Sequence, residues 1–597
     1  MTAIRATHNA RHVKPLRRLL PFFRPYRATL AWGVFCVVAS AALYSLQPMF
    51  LRQAIDALKA GEPASAMWRI GAMMIGVAIV TGTFRWQMRE QLNGLSRYIE
   101  TDLRDVLFEH LTTLDAGWYS ATRTGDVMAR LTNDLGAVRM ACGPAIMYLV
   151  NTIAGGLFAL GFMIHLSPLL TLIALLPLIG LPVVMITLGR AVHDRFEDVQ
   201  AHFGDLTTRV QENLSGARIV RAYRQEDAES ARFSAMSEEY LRRNLALARL
   251  NGIMNPSFTI LAGLGSVAVL GLGGMLVLRG TLTVGALVAF GIYLTTLTWP
   301  LIALGWVTNL FQRGAASMGR LCEILDAVPA VQNPAQPASL PAGHGGRSVE
   351  FRGVSFAYPS RDGAEPRQVL RDVSFTVPAG GTLGVVGATG AGKSALLELL
   401  PRFFDPQSGS ILLDGVDIRT LSLDALRGEI GFVPQDALLF SESIAQNLAY
   451  GGASPDQARW ASEVAQLANS LDRFPDGDRT MLGERGINLS GGQKQRATIA
   501  RALARQPAVV VLDDALSAVD THTEAAILHG LRDALSGRTA LIASHRVTAL
   551  RDATMIIVID DGAVVERGTH DELVALKGRY FDLLRRQLLE ESIETAV

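Results

Sequence analysis

Residues 387–394 read Gly-Ala-Thr-Gly-Ala-Gly-Lys-Ser, a G-x-x-x-x-G-K-[ST] pattern. The apolar run Thr382–Val386 precedes it and the helical pattern Ala395–Leu400 follows, which is the strand–loop–helix setting the pattern requires. Glycines let backbone N–H groups curl around a phosphate, and the start of the helix adds a favourable dipole. Gly387, Ala388, Thr389, Gly390, Ala391 and Gly392 are candidates for that cradle. Lys393 is placed to reach the β- and γ-phosphates of a nucleotide, and Ser394 to ligate Mg²⁺.

Two further segments carry the same kind of chemistry. In Val509-Val-Val-Leu-Asp-Asp514, four apolar residues suit a strand buried on both faces, and Asp513 at its end is placed for a Mg²⁺ shell. Leu489-Ser-Gly-Gly-Gln-Lys-Gln-Arg496 opens a helix expected to run to about Ala504. Ser490 can cap that helix, and Gly491 and Gly492 leave backbone N–H groups accessible to a phosphate arriving from outside.

The elements that must position these groups fall into two domains, as a chain of 597 residues requires. A net charge of +1 gives no case for a nucleic-acid partner. Its charges are unevenly spread: 28–51, 141–189, 256–278 and 280–312 contain no Asp, Glu, Lys or Arg. Since a span takes roughly 20 residues, these runs predict membrane helices at about 28–50, two within 141–189, 256–278 and 284–310. The shorter run 70–84 predicts a span at about 68–84. His165–Pro168 divides the long run, and 279–283 forms a turn before the last span. The long charged segments 85–140 and 190–255 carry 7 and 10 basic residues, which agrees with a cytoplasmic location. Helices are expected to continue through them, well beyond the bilayer. The basic, acid-free stretch 1–27 reads as a membrane-surface segment on the same side. Cys36, Cys142 and Cys322 form no metal-type spacing and read as small buried residues. The expected organisation is a membrane domain 1–326, a Pro/Gly-rich linker 327–348 and an α/β domain 349–597. The fold class is thus an α-helical membrane domain, six helices with long cytoplasmic extensions, plus an α/β P-loop ATPase domain.

The motifs, in this order, make the chain resemble the ATP-binding cassette (ABC) transporters, in the exporter arrangement of membrane domain before ATPase domain. Beyond the phosphate loop and Asp513, the resemblance implies that Tyr358 stacks on adenine. It implies that Gln435 in Phe432-Val-Pro-Gln is the Q-loop residue and a Mg²⁺ ligand, and that Ser490–Gln493 is the signature. It makes Asp520 the D-loop residue and His545 the switch histidine. Leu482–Gly486 resembles the exporter X-loop and Thr122–Asn133 the first coupling loop. ATP and Mg²⁺ are the implied ligands, and the implied location is a bacterial inner membrane.

One position departs from the pattern. The family places Glu after the Walker B aspartate to polarise the attacking water, and here that residue is Asp514. The shorter side chain retracts the carboxylate by about an ångström or more, a misplacement that costs on the order of a hundredfold. Family sites are shared between two chains, one giving the Walker motifs and the other the signature. An intact signature beside a handicapped Walker site resembles asymmetric heterodimeric exporters, closest to MdlA-like multidrug half-transporters. The expected partner is a second half-transporter with Glu after its Walker B aspartate, and a slow homodimer is the alternative. The expected function is ATP-driven export of amphipathic or apolar compounds, drugs or lipids. The spans lack charge, and Gln47, Asn151, Tyr293, Thr296 and Asn309 offer an uncharged polar lining. The rival readings are an importer on the same fold and an ATP-gated membrane protein that does not transport.

Overall fold

The computed structural model describes residues 15–594 except 179, 344, 360–366, 472–473, 475, 484–485, 487 and 518–520. The chain divides into two compact units: the described part of Met1–Leu111 with Val127–Asp326, and Thr112–Asp126 with the described part of Ala327–Val597.

The first unit is helical. Its long helices are α1 (Arg27–Lys59), α2 (Ala64–Thr113), α3 (Pro144–Leu166), α4 (Pro168–Leu178), α5 (Gly180–Ser215), α6 (Glu226–Leu278) and α7 (Val284–Leu325). Helices α4 and α5 flank residue 179; taken together they count as one of six apolar passages among the described residues. Among the described residues, four passages are long and apolar enough to cross a bilayer: α1, α2, the run Thr124–Leu166 and α6. Shorter apolar stretches, Pro168–Pro177 and Val284–Leu297, begin the other two. Ser167, extended at φ −163°, breaks the chain between α3 and α4, and Thr283 caps α7 through the Ala286 N–H. Ile75, Leu157, Leu172, Val267 and Leu270 stand exposed, a surface that suits lipid and would be a liability in water.

Helix α2 shows why the 70–84 run looked short. The apolar stretch is only the first part of a 50-residue helix. Beyond it the pattern becomes amphipathic: Leu92, Leu95, Ile99, Leu103 and Leu107 recur at helical spacing and are fully buried. Each such side chain contributes roughly 1.5–3 kcal/mol by leaving water, so the extension is held by packing where the bilayer no longer helps. Close approach matters here. A Cβ at Gly143 would lie 2.4 Å from the Leu92 carbonyl, so only glycine fits. The spans expected at 28–50 and 68–84 both prove longer: α1 runs on to Lys59 and α2 starts at Ala64. Asp56 explains the extension: its carboxylate accepts from the Thr283 hydroxyl at 2.8 Å and the Gly285 N–H at 3.0 Å.

In the N-terminal stretch, Pro15–Leu19 forms a 3₁₀ turn in which Leu19 is buried, and Arg18 pairs with Asp326 at 2.7 Å. Its earlier basic residues lie outside the described residues. All three cysteines are buried and free.

The second unit holds two sheets. One is antiparallel, in the order β2 (Gln368–Val377), β1 (Val349–Ala357), β4 (Ser408–Leu413), β5 (Val416–Asp417). The other runs β10 (Ala563–Gly568), β9 (Met555–Asp560), β3 (Thr382–Val386), β8 (Thr539–Ala543), β7 (Val509–Asp513), β6 (Ile430–Val433). Apart from the antiparallel edge strand β10, its strands are parallel. All five residues of β7 are buried. The linker lies against this unit: Ala338 bridges Leu421, and buried Arg347 bonds Asp414 at 2.9 Å and Glu429 at 3.2 Å. Thr112–Asp126 also belongs here. Its helix Ala116–Ala121 is capped by Asp115, which also accepts the Ala330 N–H. Gly117 faces Pro359 and Phe404.

Candidate functional site

Register brings the chemistry together. Val385 pairs with Ala543, and Ala543 pairs with Asp513, so β3, β8 and β7 end at one level. Ligands of open parallel sheets sit at the carboxyl ends of the strands. Here those ends deliver the phosphate loop after β3, His545 after β8 and Asp513–Asp514 at the end of β7. One strand further out, Val433 of β6 pairs with Leu512, and exposed Gln435 follows two residues on.

The loop has the shape its glycines allow. Gly387 lies so close to β9 that a Cβ would stand 2.4 Å from the Ile559 carbonyl. Gly390 and Gly392 take φ +83° and +107°, the left-handed region that disfavours side chains. Ala388, Thr389 and Gly390 form the exposed tip, and Ala391 and Gly392 are buried at its return. Helix α8 (Lys393–Leu399) then begins. The buried Lys393 ammonium donates to the Gly387 carbonyl at 2.8 Å and the Ala388 carbonyl at 3.1 Å. Burial lowers its pKa from the ordinary lysine value, while the charges of Asp514 and Asp513 oppose that fall.

Asp513 and Asp514 are both buried. Burial pushes the Asp513 carboxyl up and the Asp514 charge adds to it; a hydrogen bond from Ser394, with Lys393 and His545 nearby, pulls the other way. The Ser394 hydroxyl and the Asp513 carboxylate are two hard oxygen donors near each other, a set that suits Mg²⁺ with phosphate and water completing its shell. Asp514 adopts φ +45°, and its Oδ1 accepts the His545 backbone N–H at 3.4 Å. The His545 side chain is exposed. Tyr358, just past β1, is half-buried; its hydroxyl donates to Glu398 of α8 at 2.8 Å.

The signature is placed elsewhere in the unit. Helix α9 (Gly491–Ala504) packs on Pro455–Val464, Ile444–Leu448 and β6, whereas α8 packs on β7, β8 and β2. Ser490 Oγ accepts from Gln493 N, and Gln493 Oε1 accepts from Ser490 N, a reciprocal cap. Ser490 and Gly491 are exposed, with Gly492 and Gln493 half-buried behind them. Asp520 and part of the 482–486 run lie outside the described residues.

In the membrane unit, Tyr44, Ser45, Gln47, Pro48, Leu51, Met74, Ile292, Tyr293 and Thr296 line a cavity of ≈ 170 Å³. Three of the expected polar residues meet there, and Asn151 and Asn309 are not in its wall. The Tyr293 hydroxyl donates to the Ser45 carbonyl at 2.6 Å. Sequence reasoning did not find Glu398, Arg347 or the association of Thr112–Asp126 with the second unit, since each depends on contacts between distant segments.

Apolar helical passages joined to a phosphate-binding parallel sheet define an ATP-powered membrane transporter. The comparisons agree. Residues 30–301 match the ABC transporter transmembrane region family and 370–517 the ABC transporter family. The chain is 39% identical to the probable multidrug resistance ABC transporter ATP-binding/permease protein YheI of Bacillus subtilis, over 96% of this chain and 98% of the relative. It is 37% identical to the multidrug resistance-like ATP-binding protein MdlA of Escherichia coli, over 88% of each. A solved bacterial Atm1-family ABC exporter with ATP bound superposes with a TM-score of 0.75 at 29% identity, over 94% of this chain and 98% of the other. The chain belongs to the ABC transporter family: it is an integral membrane protein of exporter fold whose ATP hydrolysis is coupled to transport.

Proposed function

We propose that the chain exports amphipathic or apolar compounds, drugs or lipids, from the cytoplasm across a bacterial inner membrane, with its N-terminus and ATPase domain cytoplasmic. The observation that carries this reading is the uncharged cavity between α1, α2 and α7, where Gln47, Tyr293 and Thr296 stand among apolar side chains. Small-molecule sites take roughly 300–1,000 Å³, so the cavity fits part of a site that a second chain completes. The names of the multidrug relatives support the same substrate class.

At the ATPase site, Gly387–Gly392 cradle the phosphates, Lys393 neutralises them, and Tyr358 supports the base. Ser394, Asp513 and Gln435 would hold Mg²⁺, whose charge would offset that of the phosphate oxygens. Asp514 orients the attacking water from a retracted position, and His545 contacts the γ-phosphate. Ser490–Gln493 face the nucleotide of a partner chain. That division favours a heterodimer whose other half carries Glu after its Walker B aspartate. ATP closes the two ATPase domains, and Thr112–Asp126, which travels with this one, passes closure to the spans.

Inside-out vesicles test the reading. ATP should drive accumulation of a lipophilic fluorescent dye, and a non-hydrolysable analogue should not. ATP-driven loss of preloaded solute would mean import, and solute movement with no stoichiometric link to ATP turnover would mean a gate.

A further inference from the structure

We propose that Glu398 is a positioning residue for the nucleotide base: by holding the Tyr358 hydroxyl it fixes the ring on which adenine stacks, an inference that rests on the reading of Tyr358 above. The hydrogen bond from Tyr358 to Glu398 Oε2 is 2.8 Å. Tyr358 ends the β1 side of the site, while Glu398 lies on the helix that begins with Lys393. The bond therefore ties the base-binding segment to the phosphate-binding one. Five residues after Lys393 is about 7.5 Å along the axis and well round to another face, so one helix serves the phosphates at its start and the tyrosine further on.

The ring is fixed by more than its hydroxyl. Phe356 and Phe404 both meet it edge-on, with centroids at 5.0 and 5.2 Å and interplanar angles of 77° and 88°. Two T-shaped contacts hold the ring plane, and Glu398 removes the remaining freedom, sliding along the ring axis.

A carboxylate is a costly choice at this position if packing were its only task. Its neighbours Leu396, Leu397, Leu399 and Leu400 are fully buried leucines. Burial pushes the Glu398 carboxyl up and the Asp513 charge adds to it, while the Tyr358 hydroxyl pulls it down. An apolar residue would avoid that cost; what it could not do is accept the tyrosine proton donor. The acceptor role accounts for the acid.

The test is nucleotide binding at this chain's own site in the complete, lipid-reconstituted transporter. Photolabelling of this chain with 8-azido-ATP is competed by ATP or by inorganic tripolyphosphate, which has no base. Glu398→Ala and Tyr358→Phe should each weaken ATP competition about three- to tenfold, less than the full worth of a charge-assisted hydrogen bond because the ring keeps both aromatic contacts. Tripolyphosphate competition should be unchanged, and the double variant should be no weaker than either single one. Glu398→Gln keeps an acceptor and should recover at least half of the loss. Together with Tyr358→Phe it decides the matter if Glu398→Ala does not fold. Equal weakening of ATP and tripolyphosphate would reduce Glu398 to a structural prop and overturn the proposal. ATP competition unaffected by Glu398→Ala but weakened by Tyr358→Ala would also overturn it, leaving Tyr358 as the base platform. No effect of Tyr358→Ala would remove the platform itself.

Discussion

The Walker end and the signature end of the ATPase unit are built on opposite principles. At the Walker end, three parallel strands finish at one level and deliver a buried lysine, two buried aspartates and a glycine-shaped loop. At the signature end, a single helix start closes its own cap and stands exposed. The first is a site assembled from distant segments, which one misplaced atom can impair. The second is a surface, complete in itself, that needs another molecule in order to act. A chain can therefore lose efficiency at one end and keep full competence at the other, which is the division Asp514 suggests.

The largest expected effect lies at the signature. Ser490→Arg removes the hydroxyl that accepts the Gln493 N–H and sets a long cation over the helix start. Losing the cap costs about 1 kcal/mol, but on the proposed arrangement the greater harm is steric, to a nucleotide bound by the partner chain. ATP hydrolysis by the purified complex should fall to near background. If it keeps more than half, the signature does not complete the working site.

Next comes Lys393→Ala. It deletes the only side-chain cation of the 387–394 loop, so nucleotide affinity at this chain's own site should fall at least about tenfold, a charge-assisted bond being worth roughly 1.5–3 kcal/mol. Photolabelling of this chain within the complex measures it. Unchanged labelling would argue against the phosphate-cradle assignment.

How much of this was legible beforehand divides along the same line. Motifs read locally were placed well. The strand expected at Thr382–Val386 is β3, and the helix expected to run to Ala504 ends there. Their neighbours in sequence decide their structure, so a run of apolar residues or a serine before two glycines suffices. The apolar runs likewise marked the passages, because the bilayer imposes a length. Span limits were harder: α2 continues from apolar to amphipathic without interruption, and hydropathy marks only its first part. The pairing of Tyr358 with Glu398 spans 40 residues and two elements, and no local pattern announces it. The left-handed backbone at Asp514 was equally hidden, since it follows from the turn that brings its N–H to the Ala543 carbonyl.

A smaller effect is expected from Asp514→Asn. Asparagine tolerates the left-handed region as aspartate does, and its amide oxygen can keep the bond from the His545 N–H. The substitution therefore removes charge with little change of shape. If the partner's Walker site carries the turnover, hydrolysis by the complex should change less than about twofold; a carboxylate held an ångström back from its water has already forfeited on the order of a hundredfold. Loss as complete as in Ser490→Arg would make Asp514 a working base and the homodimer the better assembly.

The last effect is a gain rather than a loss, and it is the most informative. Side-chain length alone predicts that Asp514→Glu restores a second competent site, a gain on the order of a hundredfold at that site. The backbone at this residue opposes the gain. At φ +45°, an ordinary L-residue costs roughly 1–2 kcal/mol, and aspartate is among the few that bear it easily because its short polar side chain bonds locally. Here that local bond is the His545 N–H to Oδ1. A glutamate reaching toward the water gives up that bond and keeps the strain, so the turn shifts or the carboxylate misses its place. The expected rise is therefore under about tenfold. It should be measured as hydrolysis by a complex whose partner lacks its Walker lysine, so that only this site turns over. A full hundredfold recovery would show that the missing methylene alone impaired the site. No rise, with the partner's signature intact, would show that the backbone of the turn, and not the length of one side chain, sets the limit at the Walker end.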